Sequence, residues 1–215
     1  DDVNFTSAWE NCTALTSIPS YLNLARGTNF TSAWKSCTSL TSFPAVTFSL
    51  TASDDVNFSG AWMSCAALES FPALNLSRGT NFNDAWHACS GLESFGACTF
   101  STHADDDVIF TNAWNSCTSL ESFPALDLSR GTNFNQAWRN CNDASFTSFP
   151  LVTFSTTASD DIDFSSAWIG CNKLTSFPSV NLSRGNTFNQ TWKSCNKLTS
   201  FPALDLSNST NMIYS

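Results

Sequence analysis

Charge is scarce in this chain. Only 13% of its residues are charged, and 18 Asp and Glu stand against 9 Lys and Arg, a formal net charge of −9. A basic footprint of the kind that displaces counterions from phosphates is missing, so nucleic acid is not an expected partner. Long apolar runs are missing too: no stretch approaches the roughly 18 residues that would span a bilayer, and the opening Asp1-Asp2-Val3-Asn4 has no signal-like apolar core. No direct membrane insertion is expected, and an opening without Met reads as a processed chain or a segment. Histidine occurs twice, as His87 and His103, and neither belongs to a Ser-His-Asp or Cys-His arrangement. With no glycine-rich phosphate loop either, catalysis is not expected. What is plentiful is Phe (19), Cys (9) and Trp (8) on a background of Ser, Thr and Asn.

Those residues recur in one pattern, Phe-x-x-Ala-Trp-x-x-Cys-x-x-Leu-x-x-Phe-Pro, read eight times with leading residues Phe5, Phe30, Phe58, Phe82, Phe110, Phe134, Phe164 and Phe188. Short and long connections alternate, so pairs of units form a higher repeat. All eight tryptophans, Trp9, Trp34, Trp62, Trp86, Trp114, Trp138, Trp168 and Trp192, hold one position in the unit. Stacked units would place them in a single continuous column.

From Phe to Leu the apolar residues fall at i, i+3, i+4 and i+7, which predicts a two-turn helix. The residue before the Phe is a cap type in seven of eight units, as in Asn29 or Asp163. Beyond Phe-Pro the period becomes two, as in Leu151-Val152-Thr153-Phe154-Ser155, which predicts a brief parallel strand with Pro at its entrance. The expected fold is therefore α/β: a right-handed solenoid of eight leucine-rich-repeat-like turns over residues 1–207, each a short helix plus a short strand, roughly 40 Å long. Residues 208–215 read as an irregular tail or the start of a linker.

Eight cysteines share one register, from Cys12 to Cys195, and Cys98 lies outside it. Helix axes about 8–10 Å apart would keep them beyond disulfide reach, so a ladder of free, packed thiols is expected. The short connections carry Arg-Gly, as in Arg78-Gly79, with Gly expected at a positive φ. The long ones carry Asp54-Asp55, Asp105-Asp106-Asp107 and Asp160-Asp161. Two readings of the acidic turns are open, an Arg–Asp ladder along this edge and a calcium site, the second weakened by the absence of a D-x-[DN]-x-[DN]-G loop.

Two surfaces are candidates for binding. The helix face carries Lys35, His87, Arg139, Lys173, Lys193 and Lys197, the last three with Arg139 making the final units basic. The strand face carries Thr47, Asn75, Thr99, Asp127, Thr153 and Asn181, a row of small hydroxyls and amides suited to hydrogen-bonding a glycan.

The run Ile109-Phe110 through Leu128-Ser129, with Trp114, Cys117, Leu120, Phe123 and Pro124, resembles the BspA-type leucine-rich repeats of bacterial and phage surface proteins. Trp114 stands where that family more often has Phe. The resemblance implies a non-catalytic adhesion or receptor-binding module, extracellular, on a cell or virion surface, with a protein or glycan partner. The alternative is a structural spacer or lattice component of a larger surface, filament or phage tail assembly. Neither end looks like a polar cap, so flanking domains or identical chains are expected to cover both.

Overall fold

The computed structural model describes residues 2–50, 55–157 and 161–213. It is a parallel β-solenoid of about seven turns, and no helix is present among the described residues. The helix-plus-strand expectation is therefore wrong for the Phe-to-Leu half of every unit. The backbone shows why. Seen in the unit at Phe30, Ser32 and Ser36 sit at φ of 55° and 59°, and every unit repeats this at the same two places. A right-handed helix cannot accommodate such residues.

Hydrogen bonding follows from that geometry. Ala33 N–H donates to Phe30 O, Lys35 to Ser32 O and Cys37 to Trp34 O, all three residues back, closing a run of tight turns. The positive φ at the third residue of the first and last of these turns is the mark of a type II turn. The N–H groups between them point along the solenoid axis instead: Phe30 donates to Asn57 O, Ser32 to Ser59 O, Trp34 to Ala61 O and Ser36 to Met63 O, at 2.7–2.9 Å. Each coil thus satisfies half its donors internally and half on the next coil. Residues facing the core in this run are still Phe, Ala, Trp and Cys, in the order buried, half-buried twice, buried twice, half-buried twice, buried. That is the amphipathic stripe of a helix on a backbone that is not one.

The main sheet also lies elsewhere than expected. Its eight parallel strands, Val3–Asn4, Gly27–Asn29, Val56–Asn57, Gly79–Asn81, Val108–Ile109, Gly131–Asn133, Ile162–Asp163 and Gly185–Thr187, precede the leading Phe of each unit. The segment after Phe-Pro pairs only briefly, as Asp127–Leu128 with Thr153–Phe154 and as isolated bridges such as Asn75 with Thr99. The residue expected to cap a helix opens the turn run instead. Oδ1 of Asn4, Asn29, Asn57, Asn81, Asn133 and Asp163 accepts the N–H two residues on, at 2.8–3.0 Å. This is an Asx turn, using the same chemistry as a cap.

The tryptophan column is present. Neighbouring indoles from Trp9 to Trp192 lie 5.2–5.9 Å apart with interplanar angles of 3–8°. The leading Phe residues form a second stack, and Phe43, Phe71, Phe95, Phe123, Phe149, Phe177 and Phe201 form a third that meets the indoles edge-on. One continuous core results. The glycine of each Arg-Gly connection serves this stack rather than a left-handed turn: none of these four has positive φ, and a Cβ on Gly131 would stand 2.2 Å from the Phe134 ring.

All nine cysteines are free, and eight are buried. The reason given from helix spacing does not apply, because coils stacked at strand spacing, about 4.8 Å, bring Cα atoms within disulfide range. Each thiol is instead occupied as a donor: Sγ of Cys65, Cys89, Cys117, Cys141, Cys171 and Cys195 lies 3.0–3.3 Å from the tryptophan carbonyl of the preceding coil. Burial pushes Cys89 and Cys141 up to about 12, so they stay neutral donors. Residues 208–213 keep the same register: Asn211 bridges Thr187, Phe188 N–H donates to Asn211 O, and Gln190 N–H to Ile213 O.

Candidate binding surfaces

The turn run holds Lys35, His87, Arg139 and Lys193 in one outward column, three residues after a second outward column. In several coils the two columns engage each other. Arg139 Nη1 donates to Gln136 Oε1, Lys193 Nζ to Gln190 Oε1 at 3.1 Å, and Asn115 Nδ2 to Asn112 Oδ1 at 3.1 Å. His87 Nδ1 lies 3.6 Å from Asp84 Oδ1, too far for a hydrogen bond but close enough for an ion pair when the imidazole is protonated. Lys35 reaches across coils to Glu10 at 3.1 Å, and hydrogen bonds from Ser7 and Lys35 hold the Glu10 carboxyl below its ordinary range. Part of the variation from unit to unit is thus paired. Lys173 and Lys197 are exposed one turn further along their coils, beside the equally exposed Lys193.

Thr47, Asn75, Thr99, Asp127, Thr153 and Asn181 form one exposed column on the opposite half of the coil. Its alternation has a structural cause. Asn75, Asp127 and Asn181 accept the N–H of Ser77, Ser129 and Ser183 at 2.9–3.0 Å, bending the chain into a short connection. Thr47, Thr99 and Thr153 each precede a long one. There the turn is made two residues later by a buried serine: Ser101 Oγ accepts His103 N–H, and Ser155 Oγ accepts Thr157 N–H, both at 3.1 Å. Half of this column is therefore already engaged on its acceptor side.

In the acidic turns, Asp54 and Asp160 lie outside the described residues. Arg78 Nη2 approaches Asp55 Oδ1 at 3.5 Å and Arg184 Nη2 approaches Asp161 Oδ1 at 3.5 Å, while Arg130 Nε donates to the backbone O of Asp106 at 3.0 Å. The Asp106 carboxylate receives Ser101 Oγ and lies 3.9 Å from His103 Nδ1. Asp105 and Asp107 flank it. Among the described residues no three His, Cys, Asp or Glu side chains gather as a metal site. Two Arg–Asp pairs of the expected kind, Arg78 with Asp55 and Arg184 with Asp161, are thus present, while Arg130 meets the Asp106 backbone.

One surface feature was missed in the sequence reading. Glu69, Glu93 and Glu121 occupy the same position in three successive units and are stacked by backbone bonds, Glu93 N–H to Glu69 O and Glu121 N–H to Glu93 O. Thr147, Thr175 and Thr199 continue that column, and the Thr175 and Thr199 hydroxyls donate to the carbonyl of the preceding coil at 3.1 Å. Identical spacing in consecutive units was the available signal. Among the described residues no helix is long and apolar enough to cross a membrane. Compared with known protein families, curated proteins and solved structures, the chain matches none.

Proposed function

We propose that this solenoid is a non-catalytic binding module, exposed outside a cell or on a virion, that presents the paired columns of its turn run to a protein or glycan. The observation that carries this reading is the contrast between columns. Inward positions repeat the same residue in coil after coil, while the outward positions differ between coils and in several of them engage each other, as Asp84 with His87, Gln136 with Arg139 and Gln190 with Lys193. A rigid core with unit-specific, internally paired surface residues is a scaffold for recognition. The resemblance to BspA-type repeats points the same way. The buried thiols are held neutral by desolvation, which makes them poor nucleophiles. Reversing Lys173, Lys193 and Lys197 to Glu together tests the basic end. Binding of labelled protein to an array of sulfated, sialylated and neutral glycans should lose its acidic members, and an unchanged profile removes that end from the recognition surface.

A second reading, a lattice or spacer component, is favoured by one observation: the apolar columns run to both ends of the described coils, with Phe5 and Trp9 half-buried at one and Phe201 and Met212 exposed at the other.

A further inference from the structure

Asparagine followed two residues later by Ser or Thr, with no Pro between, is the acceptor triplet for N-linked sugar. Beyond the first coil such triplets begin at Asn29, Asn57, Asn75, Asn181, Asn189 and Asn208. A chain this rich in Asn, Ser and Thr writes them by composition alone, so the motif by itself selects nothing. The fold does. Asn29 and Asn57 end strands of the main sheet and are half-buried between neighbouring coils. Asn189 Oδ1 is buried, and the hydroxyl of its triplet, on the fully buried Thr191, donates to Phe164 O at 3.0 Å. Asn208 Nδ2 is occupied on Asp161 Oδ1 at 3.3 Å.

Asn75 and Asn181 differ on every count. Both are exposed and open a short connection. Each stands between two buried apolar neighbours, Leu74 and Leu76 or Val180 and Leu182, so its own side chain is turned outward. Oδ1 accepts the N–H of the triplet's own serine, Ser77 at 3.0 Å and Ser183 at 2.9 Å. This Asx turn fixes the carboxamide by its oxygen and leaves Nδ2, the atom that a sugar must reach, on the solvent side.

We propose that Asn75 and Asn181 carry N-linked glycans. Nδ2 attacks the anomeric carbon of an oligosaccharide held on a lipid diphosphate. The N–C bond forms, the bond from that carbon to the diphosphate oxygen breaks, the lipid diphosphate leaves, and the amide gives up one proton. An enzyme of the secretory route makes the transfer, so the proposal rests on the reading of the chain as extracellular. The two sites share one face and lie four coils apart, about 19 Å at strand spacing. Sugar there covers the strand-face column and leaves the turn run free for a partner. Asp127 holds the same place two coils from each, in the same turn with Ser129 at 3.0 Å, and carries no amide to modify.

Secretion of the chain from insect cells behind an added leader tests it. Peptide N-glycosidase in heavy-oxygen water leaves a labelled Asp at every occupied position, read by peptide mass spectrometry. Asn75 and Asn181 should be occupied in most molecules, and Asn29, Asn57 and Asn189 should be empty. Ser77→Ala keeps the backbone N–H and hence the Asx turn, so it should empty Asn75 alone while leaving the melting curve of the bacterially made chain unchanged. Asp127→Asn completes Asn-Leu-Ser in the same geometry and should add a third glycan, one further step in gel mobility. Asn75 or Asn181 found empty in a secreted chain, beside a control glycoprotein filled by the same cells, overturns the proposal. So does equal occupancy of Asn29 and Asn57, or no gain from Asp127→Asn. The leader supplies the route out of the cell, so an empty site condemns the site and not the location. Binding by the turn run is read separately, on the chain made without sugar.

Discussion

A middle coil and an end coil of this protein carry nearly the same residues and have different physics. Trp114 and Cys117 are fully buried, while Trp9 and Trp192 are only partly covered and Cys12 is exposed. Thiol acidity records the gradient: burial pushes Cys89 and Cys141 up to about 12 but Cys37 and Cys195 only to about 11. A unit therefore has no core of its own. Its core is its two neighbours, and the coupling between coils is what the repeat encodes.

Alkali should break that coupling most severely. The folded state holds its buried thiols above their ordinary value of 9.0, and desolvation is the leading cause. Stability is thus fully present below pH 9 and is lost as pH rises toward the folded values near 11 to 12. Each fully buried thiol contributes a slope of about 1.4 kcal/mol per pH unit in that window. Thermal melts between pH 8 and 11 should fall steeply and together across the middle coils. A pH-independent melting temperature over that range would show that the thiols are not held protonated. Cys12, being exposed, should react with a thiol reagent at neutral pH while the others stay protected.

Next in size is the tryptophan column. Trp114→Ala removes an indole stacked on Trp86 and Trp138 at 5.4 Å and met edge-on by Phe123. About 3–5 kcal/mol should be lost. Trp192→Ala, at the partly covered end, should cost clearly less by the same denaturant titration. Equal losses would mean that the ends are as well packed as the middle.

These residues were legible in the sequence, and so was the stacking, because a position filled by Trp in all eight units can only be an inward column. What the sequence did not disclose was the backbone that carries it. Phe110, Ala113, Trp114 and Cys117 satisfy a helical stripe, and a run of type II turns buries the same four. The discriminating signal lay in the polar positions between them. Asn112 and Ser116 hold φ of 54° and 62°, and across the units these places carry Ser, Asn, Asp, Gly, Gln or Ala. Asn, Asp and Gly adopt the left-handed region with least strain, but Gln136 and Ala88 do not advertise it. The candidate surfaces were legible as columns but not as partners: that Gln136 engages Arg139, or that Asn75 and Thr99 alternate because two kinds of turn follow them, required the fold. The Arg-Gly glycines were read for the wrong property, since a turn and a close aromatic approach both demand a missing side chain.

Gly131→Ala measures that close approach. The new Cβ would lie 2.2 Å from Cζ and 2.7 Å from Cε2 of Phe134, with Leu128 O at 3.1 Å. The ring is locked between Phe110 and Phe164, so it cannot swing away, and overpacking should cost roughly 1–3 kcal/mol. Gly27→Ala meets Phe30 in the same way but also touches Phe5, which is only half-buried and has room to yield. The end substitution should therefore be the milder of the two in a urea titration.

The smallest effect is one that should stabilise. The unit opening at Phe110 departs from the coils on either side because Ile109, more than a third exposed, stands where Asn81 and Asn133 make the Asx turn. In the next coil Asn133 Oδ1 accepts Asn135 N–H at 2.9 Å, and removing it by Asn133→Ala should cost about 1 kcal/mol, as losing a cap does. Ile109→Asn is the converse. It places an acceptor over Thr111 N–H and removes apolar surface from water, and the neighbouring Asn81 and Asn133 show that the register accepts the side chain. A rise in urea midpoint with an unchanged slope is expected, smaller than the loss from Asn133→Ala. A fall would mean that the packing of the partly covered Ile109 side chain between Asn81 and Asn133 outweighs the Asx turn that it forgoes.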